Sequence, residues 1–383
     1  MENIILLGAT GSVGFSVLDI IRTYPDKFTL YGFTAWSNID KTVALIKEFS
    51  PKYVVLKQKH DSLPLLFPHI EFMYGEEGLK NICQISEAPT IVSALLGMNG
   101  FIPAFEALNQ GKKLIIANKE ALVAGGKFLT QAANKYGGLI IPLDSEHLAL
   151  FDLIRGKQKK EIKELVLTAS GGPFLHRNID ASITKKEVLN HPTWIMGASI
   201  TVGSALMINK GLEVIEAMRL FDLPENQIRV LIHPQSLVHG AINTKGGHWH
   251  LLASPADMRY PALHALFYPE TPYNTPFGEY DPTLKALEFF EPDYNKFPLL
   301  SLARQVARED GLLPTVLCAV MEVVIEQFLN DNIAFHKIPD IFQEIIQEYP
   351  NNKNPEIEEI LIADKKAKIL ALERITYKGN DLR

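Results

Sequence analysis

Cysteine and positive charge are both scarce in this sequence. Two cysteines, Cys83 and Cys318, occur among 383 residues, which excludes a disulfide framework and a cysteine-rich zinc site. We expect both to be buried thiols. The 38 lysines and arginines are outnumbered by 44 acidic residues, so the formal net charge is −6. Nucleic-acid binders usually carry a basic face, and we therefore expect no nucleic acid among the partners.

A long hydrophobic run is also missing from the start of the chain. The apolar run at residues 4–7 is too short for a signal peptide core or a membrane span, and no basic leader precedes it. The sequence thus predicts a cytoplasmic protein with no membrane partner. Hydrophobic residues make up 47% and charged residues 21%, as in ordinary globular proteins, and the length suits two or three domains.

The first third of the chain alternates short apolar segments with helical patterns. Strands that alternate with helices favour right-handed crossovers and a mostly parallel sheet. We therefore predict an α/β fold in which residues 1–143 form an N-terminal Rossmann-like dinucleotide-binding domain. The candidate strands lie at residues 4–7, 28–34, 53–56, 91–94, 113–117 and 139–143.

A second sheet is predicted in the middle of the chain. Its candidate strands are residues 164–168, 227–232 and 248–253, with a helix at 206–221. We assign residues 144–268 to a central α+β domain for catalysis and dimerisation. The long loop at residues 171–197, rich in glycine and proline, is a candidate flap, because such loops in compact regions are usually functional or disordered.

The last third of the chain predicts helices. Residues 269–297 are rich in turn-forming residues and indicate a linker. From residue 298 to 383, apolar residues recur at three- and four-residue steps, which predicts a C-terminal helical bundle.

Residues 8–14 read GATGSVG and lie between a candidate strand and a candidate helix. Glycines permit a tight turn there, and the backbone amides that open the helix can face a pyrophosphate. Thr10 and Ser12 add hydroxyl donors. The segment therefore predicts nucleotide binding.

The end of the second strand bears on the type of nucleotide. NAD-binding chains usually carry an acid there that holds the ribose hydroxyls, whereas this chain has Trp36-Ser37-Asn38. The lack of an acid favours NADP, although no cation is present to bind its 2′-phosphate. Trp36 either packs on the surface or stacks on the adenine, and the sequence leaves both interpretations open.

Two carboxylates, Asp144 and Glu146, follow the predicted strand at residues 139–143. The carboxyl ends of such strands face the ligand crevice, and Lys119 follows the neighbouring strand. In an extended segment, side chains two residues apart point the same way, so both carboxylates are expected to reach one ion. Oxygen ligands suit Mg²⁺ or Mn²⁺ rather than zinc. Two solvated surface acids are the alternative.

A third carboxylate lies in the predicted helix at residues 206–221. Asn209 and Glu213 are four residues apart and share a helix face, with Lys210 adjacent. Ser170 opens the turn SGGPF, whose amides can hold an anion, although an ordinary structural turn fits equally well. Together these groups indicate a metal-assisted redox enzyme acting on a phosphorylated small molecule.

Seven motifs occur in order along the chain: GATGSVG, ANKEALV, LDSEH, TASGGPF, HPTWIMG, MINKGLE and HPQS. Together they resemble the 1-deoxy-D-xylulose 5-phosphate reductoisomerase family over nearly the whole chain. The resemblance implies a homodimer that depends on NADPH and on Mg²⁺ or Mn²⁺. Such an enzyme rearranges a phosphorylated ketose and reduces the resulting aldehyde to 2-C-methyl-D-erythritol 4-phosphate, in the methylerythritol phosphate route to isoprenoids.

The resemblance also implies residue roles. Asp144, Glu146 and Glu213 would be the metal ligands, and Lys119 would act with them in catalysis. Besides Lys119, Glu146 and Glu213, the substrate contacts would be Ser145, Ser170, His191, Trp194, Met196, Ser204, Asn209 and Lys210. The cofactor contacts would be Gly8, Thr10, Gly11, Ser12, Val13, Trp36, Ser37, Asn38, Asn118, Glu120 and Gly197.

The chain departs from the family pattern at a few positions. Gly203 stands where the family commonly has aspartate, and Trp36-Ser37 stands where it usually has glycine and a cation. Since the proposed metal and phosphate ligands are all present, we expect an active enzyme. Two alternatives remain open: an NADP-dependent dehydrogenase that performs no rearrangement, and a nucleotide-sensing relative without turnover.

Overall fold

Two compact units share the residues that the computed structural model describes, namely 1–36, 38–194, 197–281, 283 and 286–380. Unit 1 contains Met1–Ala121, Lys127–Leu148 and Asp257–Gly278, and unit 2 contains Leu122–Gly126, Ala149–Ala256 and the described residues from Glu279 onward. None of the helices in these described residues combines the length and apolar character needed to cross a membrane.

Unit 1 is built on a parallel seven-stranded sheet. The strands are β1 (Glu2–Leu7), β2 (Phe28–Ala35), β3 (Tyr53–Leu56), β4 (Glu71–Tyr74), β5 (Thr90–Ser93), β6 (Lys113–Ile116) and β7 (Leu139–Pro142). Their order across the sheet is β4-β3-β2-β1-β5-β6-β7. The order reverses between β1 and β5, so a ligand crevice is expected outside the carboxyl ends of these two strands.

Helices alternate with these strands in the first part of the chain. They are α1 (Ser12–Thr23), α2 (Ile39–Phe49), α3 (Ser62–Leu66), α4 (Gly75–Ile82), α5 (Phe101–Asn109), α6 (Lys119–Tyr136) and α7 (Ser145–Ile154). The strand–helix alternation predicted from the sequence is confirmed. Strand β4 was not predicted, because this four-residue edge strand (EFMY) has only two fully non-polar side chains, Phe72 and Met73.

Unit 2 combines a mixed sheet with helices. Its strands are β8 (Ile162–Ala169), β9 (Ile228–Ile232), β10 (Val238–Thr244) and β11 (Trp249–Ala253), in the order β11-β10-β8-β9. Strands β8 and β9 are parallel and the other pairs antiparallel. The second sheet is therefore confirmed, although β10, one of its two interior strands, reads VHGAINT and was not predicted.

The remaining helices are α8 (Lys185–Val188), α9 (Ala198–Ala205), α10 (Ile208–Phe221), α11 (Arg259–Phe267), α12 (Pro298–Glu309), α13 (Leu313–Leu329), α14 (Ile338–Glu348) and α15 (Ile357–Asn380). Helices α9, α10 and α12 to α15 bury a common apolar core in unit 2. A second core lies between one face of the mixed sheet and α10. The predicted helical C-terminal region is confirmed.

The segment Asp257–Gly278 returns to unit 1. Residues 257–268 were predicted to belong to the central domain, and residues 269–278 to a linker. In the structure, the Phe267 ring on α11 makes edge contacts with Tyr24 and Phe28, at centroid distances of 5.0 and 5.2 Å. These contacts join residues about 240 positions apart, which is why no local pattern reveals them.

The segment around Asp144 is not extended, and this expectation was wrong. Helix α7 begins at Ser145, and the Asp144 carbonyl accepts a hydrogen bond from the Leu148 amide at 2.9 Å. Asp144 therefore occupies the helix N-cap, a position at which aspartate is strongly preferred. The two carboxylates consequently project from a helix start rather than from one face of a strand.

Candidate functional site

The dinucleotide loop follows β1 as predicted. Gly8 has a φ of +87°, and a Cβ atom there would lie 2.5 Å from the Ala94 carbonyl oxygen, so only glycine fits. Its amide donates to Thr34 Oγ1 at 2.8 Å. Gly11 caps α1 without a side chain, while Thr10, Ser12 and Val13 are at least partly exposed. The first turn of α1 can therefore receive an anion.

The end of β2 offers less to a cofactor than the loop after β1. Trp36 is 38% exposed, which is compatible with surface packing and with stacking on a base. Asn38 caps α2 by accepting a hydrogen bond from the Lys41 amide at 2.9 Å, so it has a structural role in addition to the predicted one. Ser37 lies outside the described residues.

Two buried polar atoms at the carboxyl edge of the unit 1 sheet have no hydrogen-bond partner within the described part of the chain. They are Oδ1 of Asn118 and Oγ of Ser93, the last residue of β5. The Asn118 amide nitrogen donates to the Gly97 carbonyl at 3.0 Å and to Glu120 at 2.9 Å. Buried polar groups are rarely left unpaired, and these two atoms suit a polar ligand group. Ser93 was missed because a serine that ends a strand gives no motif.

Asp144 and Lys119 form an ion pair at the same edge of the sheet. Lys119 Nζ lies 2.8 Å from Asp144 Oδ2, and His147 Nδ1 lies 3.6 Å from Asp144 Oδ1. Burial by itself raises the pKa of Asp144, but the Lys119 ammonium and His147 outweigh it and hold that pKa well below its usual range. Asp144 is therefore a carboxylate at neutral pH, as a metal ligand must be.

Ser145 and Glu146 begin α7 beside Asp144. The Ser145 hydroxyl donates to a Glu146 carboxylate oxygen at 2.5 Å. His147 is fully buried and was not predicted as a site residue. The signal that could have found it is its spacing, since residues three apart on a helix are neighbours.

Unit 2 carries a second lysine–carboxylate pair, on α10. Lys210 Nζ contacts the Glu213 carboxylate, and the two side chains are only 7% and 6% exposed. The predicted phosphate ligand and the predicted metal ligand are therefore partners in this structure. Their three-residue spacing on one helix is the signal that could have indicated this contact, although the pair compared in the sequence was Asn209 and Glu213.

Asn209 is fixed by the helix that precedes α10. Its amide nitrogen donates to the Ile200 carbonyl at 2.9 Å. A Cβ atom on Gly203 would lie 2.4 Å from Asn209 Oδ1, so glycine at position 203 leaves room for this side chain. Ser204 follows on α9 and is partly buried.

His191, near the C-terminal end of the candidate flap (residues 171–197), contacts Ser170, which directly precedes that flap. Its Nε2 lies 3.0 Å from Ser170 Oγ, and its Nδ1 accepts hydrogen bonds from the backbone amides of Thr193 and Trp194 at 3.2 and 2.9 Å. Burial lowers the pKa of His191. The predicted residues Ser170, His191 and Trp194 are thus brought together, while Met196 lies outside the described residues.

Two buried histidines, His233 in the HPQS motif and His239 beyond it, were not predicted as site residues. The His233 ring stacks on Phe289 at a centroid distance of 4.7 Å, and its Nδ1 lies 2.8 Å from the Glu288 carbonyl oxygen. Its Nε2 has no partner among the described residues. His239 lies near Lys210, makes an edge contact with the Trp194 ring at 6.1 Å, and has a pKa lowered by burial.

Both cysteines are buried free thiols, as predicted. Burial raises the pKa of Cys83 to about 12, so this thiol is not a nucleophile at neutral pH.

Models of known protein families match most of the chain. The model described as 1-deoxy-D-xylulose 5-phosphate reductoisomerase matches residues 4–126. A second, described as the C-terminal domain of the same enzyme, matches residues 140–221. A third, described as a DXP reductoisomerase C-terminal domain, matches residues 253–370.

Curated relatives match the chain over nearly its full length. The 1-deoxy-D-xylulose 5-phosphate reductoisomerase of Thermoanaerobacter pseudethanolicus is 38% identical over 374 residues, which cover 96% of this chain and 98% of the relative. That of Thermodesulfovibrio yellowstonii is 40% identical over 380 residues, covering 98% and 100%.

Solved structures are similar as well. A crystal structure of DOX-P reductoisomerase in complex with NADPH, fosmidomycin and magnesium has a TM-score of 0.93 at 35% identity, over 98% of both chains. The reductoisomerase from Zymomonas mobilis in complex with NADPH has a TM-score of 0.90 at 30% identity, over 98% of this chain and 99% of the other.

Proposed function

The chain belongs to the 1-deoxy-D-xylulose 5-phosphate reductoisomerase family, and we propose that it works through the residues predicted from its motifs. The enzyme rearranges 1-deoxy-D-xylulose 5-phosphate and reduces the product to 2-C-methyl-D-erythritol 4-phosphate, with NADPH and Mg²⁺, in isoprenoid precursor biosynthesis. The family assignment made from the seven motifs is thereby confirmed. It replaces the two alternative hypotheses, a dehydrogenase without rearrangement and a nucleotide-sensing relative without turnover.

One observation carries the assignment of the working residues. The glycine loop after β1, Asn118 and Lys119 after β6, and Asp144 after β7 all lie at the carboxyl edge of one parallel sheet. In such sheets this edge is where ligands bind. The proposed binding site of NADPH, which donates the hydride, and two of the proposed metal ligands, Asp144 and Glu146, therefore lie at the same edge.

The proposed magnesium ligands are Asp144, Glu146 and Glu213. All three donors are carboxylate oxygens, which is the ligand chemistry that Mg²⁺ prefers. A bound divalent ion polarises a carbonyl oxygen and stabilises negative charge that develops on it. In our proposal Lys119 orients the reacting oxygens, while Ser170, Ser204, Asn209 and Lys210 hold the phosphate.

The cofactor and the flap complete the proposal. Gly8 and the first turn of α1 would hold the pyrophosphate of NADPH, and the unpartnered atoms of Ser93 and Asn118 would bind polar groups of the cofactor. Trp194 would cover the reacting carbons, because a closed flap excludes water while the aldehyde waits for hydride. Mn²⁺ is proposed as a second competent ion, and the cytoplasm as the location, since free buried thiols suit a reducing compartment.

The test of the function is consumption of NADPH in the presence of 1-deoxy-D-xylulose 5-phosphate. We expect turnover with Mg²⁺, turnover with Mn²⁺, and none after exhaustive chelation. Product analysis must show the branched polyol phosphate. Metal-independent oxidation of NADPH with an unrearranged product would contradict the proposal.

Cofactor preference gives a prediction of its own. NADPH is expected to be preferred over NADH, by a smaller margin than in relatives with a cation after β2, because Trp36-Ser37-Asn38 has neither an acid nor a cation. Ser37→Lys should lower the KM for NADPH about fivefold, equivalent to roughly 1 kcal/mol for a partly exposed ion pair. The measurement is kcat/KM for both cofactors in parent and variant.

Two outcomes would contradict this prediction. Equal or better use of NADH by the parent would refute the NADP preference. An unchanged cofactor ratio in Ser37→Lys would show that residue 37 does not lie at the 2′-phosphate. Ser50→Lys, an exposed change after α2 in the same unit, is the control for a general effect of added charge.

The proposed homodimer has a candidate surface on β11. This strand lies at the edge of the unit 2 sheet, and Trp249 and Leu251 project on one face at 43% and 45% exposure. They pair with Asn243 and Ala241 on β10. Exposed apolar edge strands are prone to associate, so we propose that this face joins two copies of the chain.

Trp249→Glu combined with Leu251→Glu is expected to convert the dimer to a monomer at micromolar concentration. The reason is that two charges would lose their hydration in an apolar contact. Sedimentation velocity measures the mass. Leu65→Glu, at a highly exposed leucine on α3 in unit 1, is the control. A monomeric parent, or a double variant that remains dimeric, would refute this surface.

A further inference from the structure

The His191 side chain uses both of its ring nitrogens. Nδ1 accepts hydrogen bonds from two backbone amides, that of Thr193 at 3.2 Å and that of Trp194 at 2.9 Å. Nε2 lies 3.0 Å from Ser170 Oγ. The ring therefore joins the backbone of the HPTW segment to a side chain that follows β8.

These contacts determine where the ring proton lies. A backbone N–H group only donates, so Nδ1 must be unprotonated to accept from Thr193 and Trp194. A neutral imidazole then carries its proton on Nε2, and Nε2–H donates to Ser170 Oγ. Burial lowers the pKa of His191, which is consistent with a neutral ring.

The Ser170 hydroxyl receives a second donor. The Gly172 amide donates to Ser170 Oγ at 3.2 Å. A serine hydroxyl has two acceptor sites and one O–H donor, so His191 and Gly172 together occupy both acceptor sites. The O–H of Ser170 is consequently left to donate to a further acceptor. With the opposite tautomer, the unprotonated Nε2 would itself accept the hydrogen bond from the Ser170 O–H.

We propose that His191 is a positioning residue whose Nε2–H tautomer, selected by the Thr193–Trp194 backbone, turns the Ser170 hydroxyl into a donor for the substrate phosphate. The proposal rests on the proposed function, because it takes Ser170 as a phosphate ligand. If the 193–194 turn opens, Nδ1 loses both donors and the tautomer is no longer selected. Flap conformation and phosphate binding are then coupled, and the coupling is reciprocal.

Two substitutions of His191 test the hydrogen bonds of Nδ1 and those of Nε2 separately. Asparagine places an acceptor near the position of Nδ1 and can bind amides two and three residues ahead, as in an Asx turn, but it does not reach Ser170. Glutamine places an amide nitrogen near the position of Nε2 but leaves the two backbone amides without their acceptor. His191→Asn should therefore keep the turn, and His191→Gln should keep the Ser170 contact.

The two variants are expected to differ in the KM for substrate and in hydrogen exchange. His191→Asn should raise the KM for the phosphorylated substrate roughly tenfold, the effect of losing one hydrogen bond to a charged group, and should retain slow hydrogen exchange at the 193 and 194 amides. His191→Gln should show a smaller rise in KM and fast exchange at these amides. His69→Asn, at an exposed histidine in unit 1, is the matched control.

A double-mutant cycle tests whether His191 acts through Ser170. In a Ser170→Ala background, His191→Asn should no longer raise KM, because the hydroxyl that it orients is gone. Additive effects of the two changes would overturn the proposal. Thermal unfolding of each variant shows whether an altered KM comes from a damaged fold.

The tautomer itself is measured without any turnover. In ¹⁵N-histidine spectra of the intact parent, the resonances that His191→Gln removes should show an unprotonated Nδ1 and a protonated Nε2. A proton on Nδ1, or on both nitrogens, would overturn the proposal even if the enzyme is active. Absence of turnover in the parent would instead refute the proposed function and leave the tautomer result standing.

Discussion

Replacing Glu213 by glutamine is expected to lower kcat by about 10³-fold or more. Polarisation of the substrate by a divalent ion supplies several kcal/mol of transition-state stabilisation, and the amide removes one of three proposed carboxylate ligands while keeping the side-chain volume. The measurement is NADPH consumption at saturating substrate over a titration of Mg²⁺. A variant with parental kcat would show that Glu213 is not a metal ligand.

A loss of stability must be separated from this loss of catalysis. Glu213 is buried against Lys210, and removing one partner of a buried ion pair is commonly destabilising. Glu225→Gln provides the matched control, because Glu225 is also buried and binds Arg304 at 2.6 Å in the same unit. It should lower the unfolding temperature by a comparable amount without affecting turnover of the folded enzyme.

Lys210→Ala is expected to raise the KM for substrate by about 10–150-fold, the range for a charge-assisted contact of roughly 1.5–3 kcal/mol. In the proposed site the lysine would act as a point charge towards the phosphate. The structure adds a second expectation. Lys210 contacts Glu213, so if Glu213 is a metal ligand, the ammonium and the divalent ion would compete for this carboxylate. The Mg²⁺ concentration for half-maximal rate should therefore not rise in the variant.

Substrate titrations at fixed Mg²⁺ and metal titrations at fixed substrate measure the two expectations separately. Lys160→Ala, at an exposed lysine in the same unit, should leave both values unchanged. If Lys210→Ala has the KM of the parent, the lysine forms the ion pair with Glu213 but does not bind the phosphate. A large rise in the Mg²⁺ requirement would mean that Lys210 supports the metal site instead of competing for it.

Local pattern was sufficient for most of the fold. The strand predicted at residues 53–56 matches β3, because four apolar residues between polar turns leave little choice of register. Strand β10 was missed because His239 and Gly240 interrupt its apolar pattern, and its burial comes from pairing with β8 and β11 on either side. Asp144 was misplaced because a helix N-cap and a strand end give similar sequence signals over three residues.

The members of the proposed site were easier to predict from the sequence than the contacts between them. The motifs predicted Lys119, Asp144, Lys210 and Glu213. The pair of Lys119 with Asp144 joins separate segments and could not be inferred from spacing, whereas Lys210 and Glu213 lie three residues apart on one helix, so their contact was predictable. Ser93 was not predictable, since a lone serine in an apolar strand becomes notable only when its buried oxygen is found without a partner.

The return of Asp257–Gly278 to unit 1 bears on how the chain is made. A protein leaves the ribosome from its N-terminus, and domains generally fold as units in that order. Here the last piece of the first unit is synthesised after all four strands of the second sheet, which ends at Ala253. Until Phe267 has emerged, Tyr24 and Phe28 lack the ring that they pack against. Unit 1 is therefore begun first but completed only after the second sheet has been made. Nascent chains that end before Phe267 are expected to expose an aromatic surface that chaperones can bind.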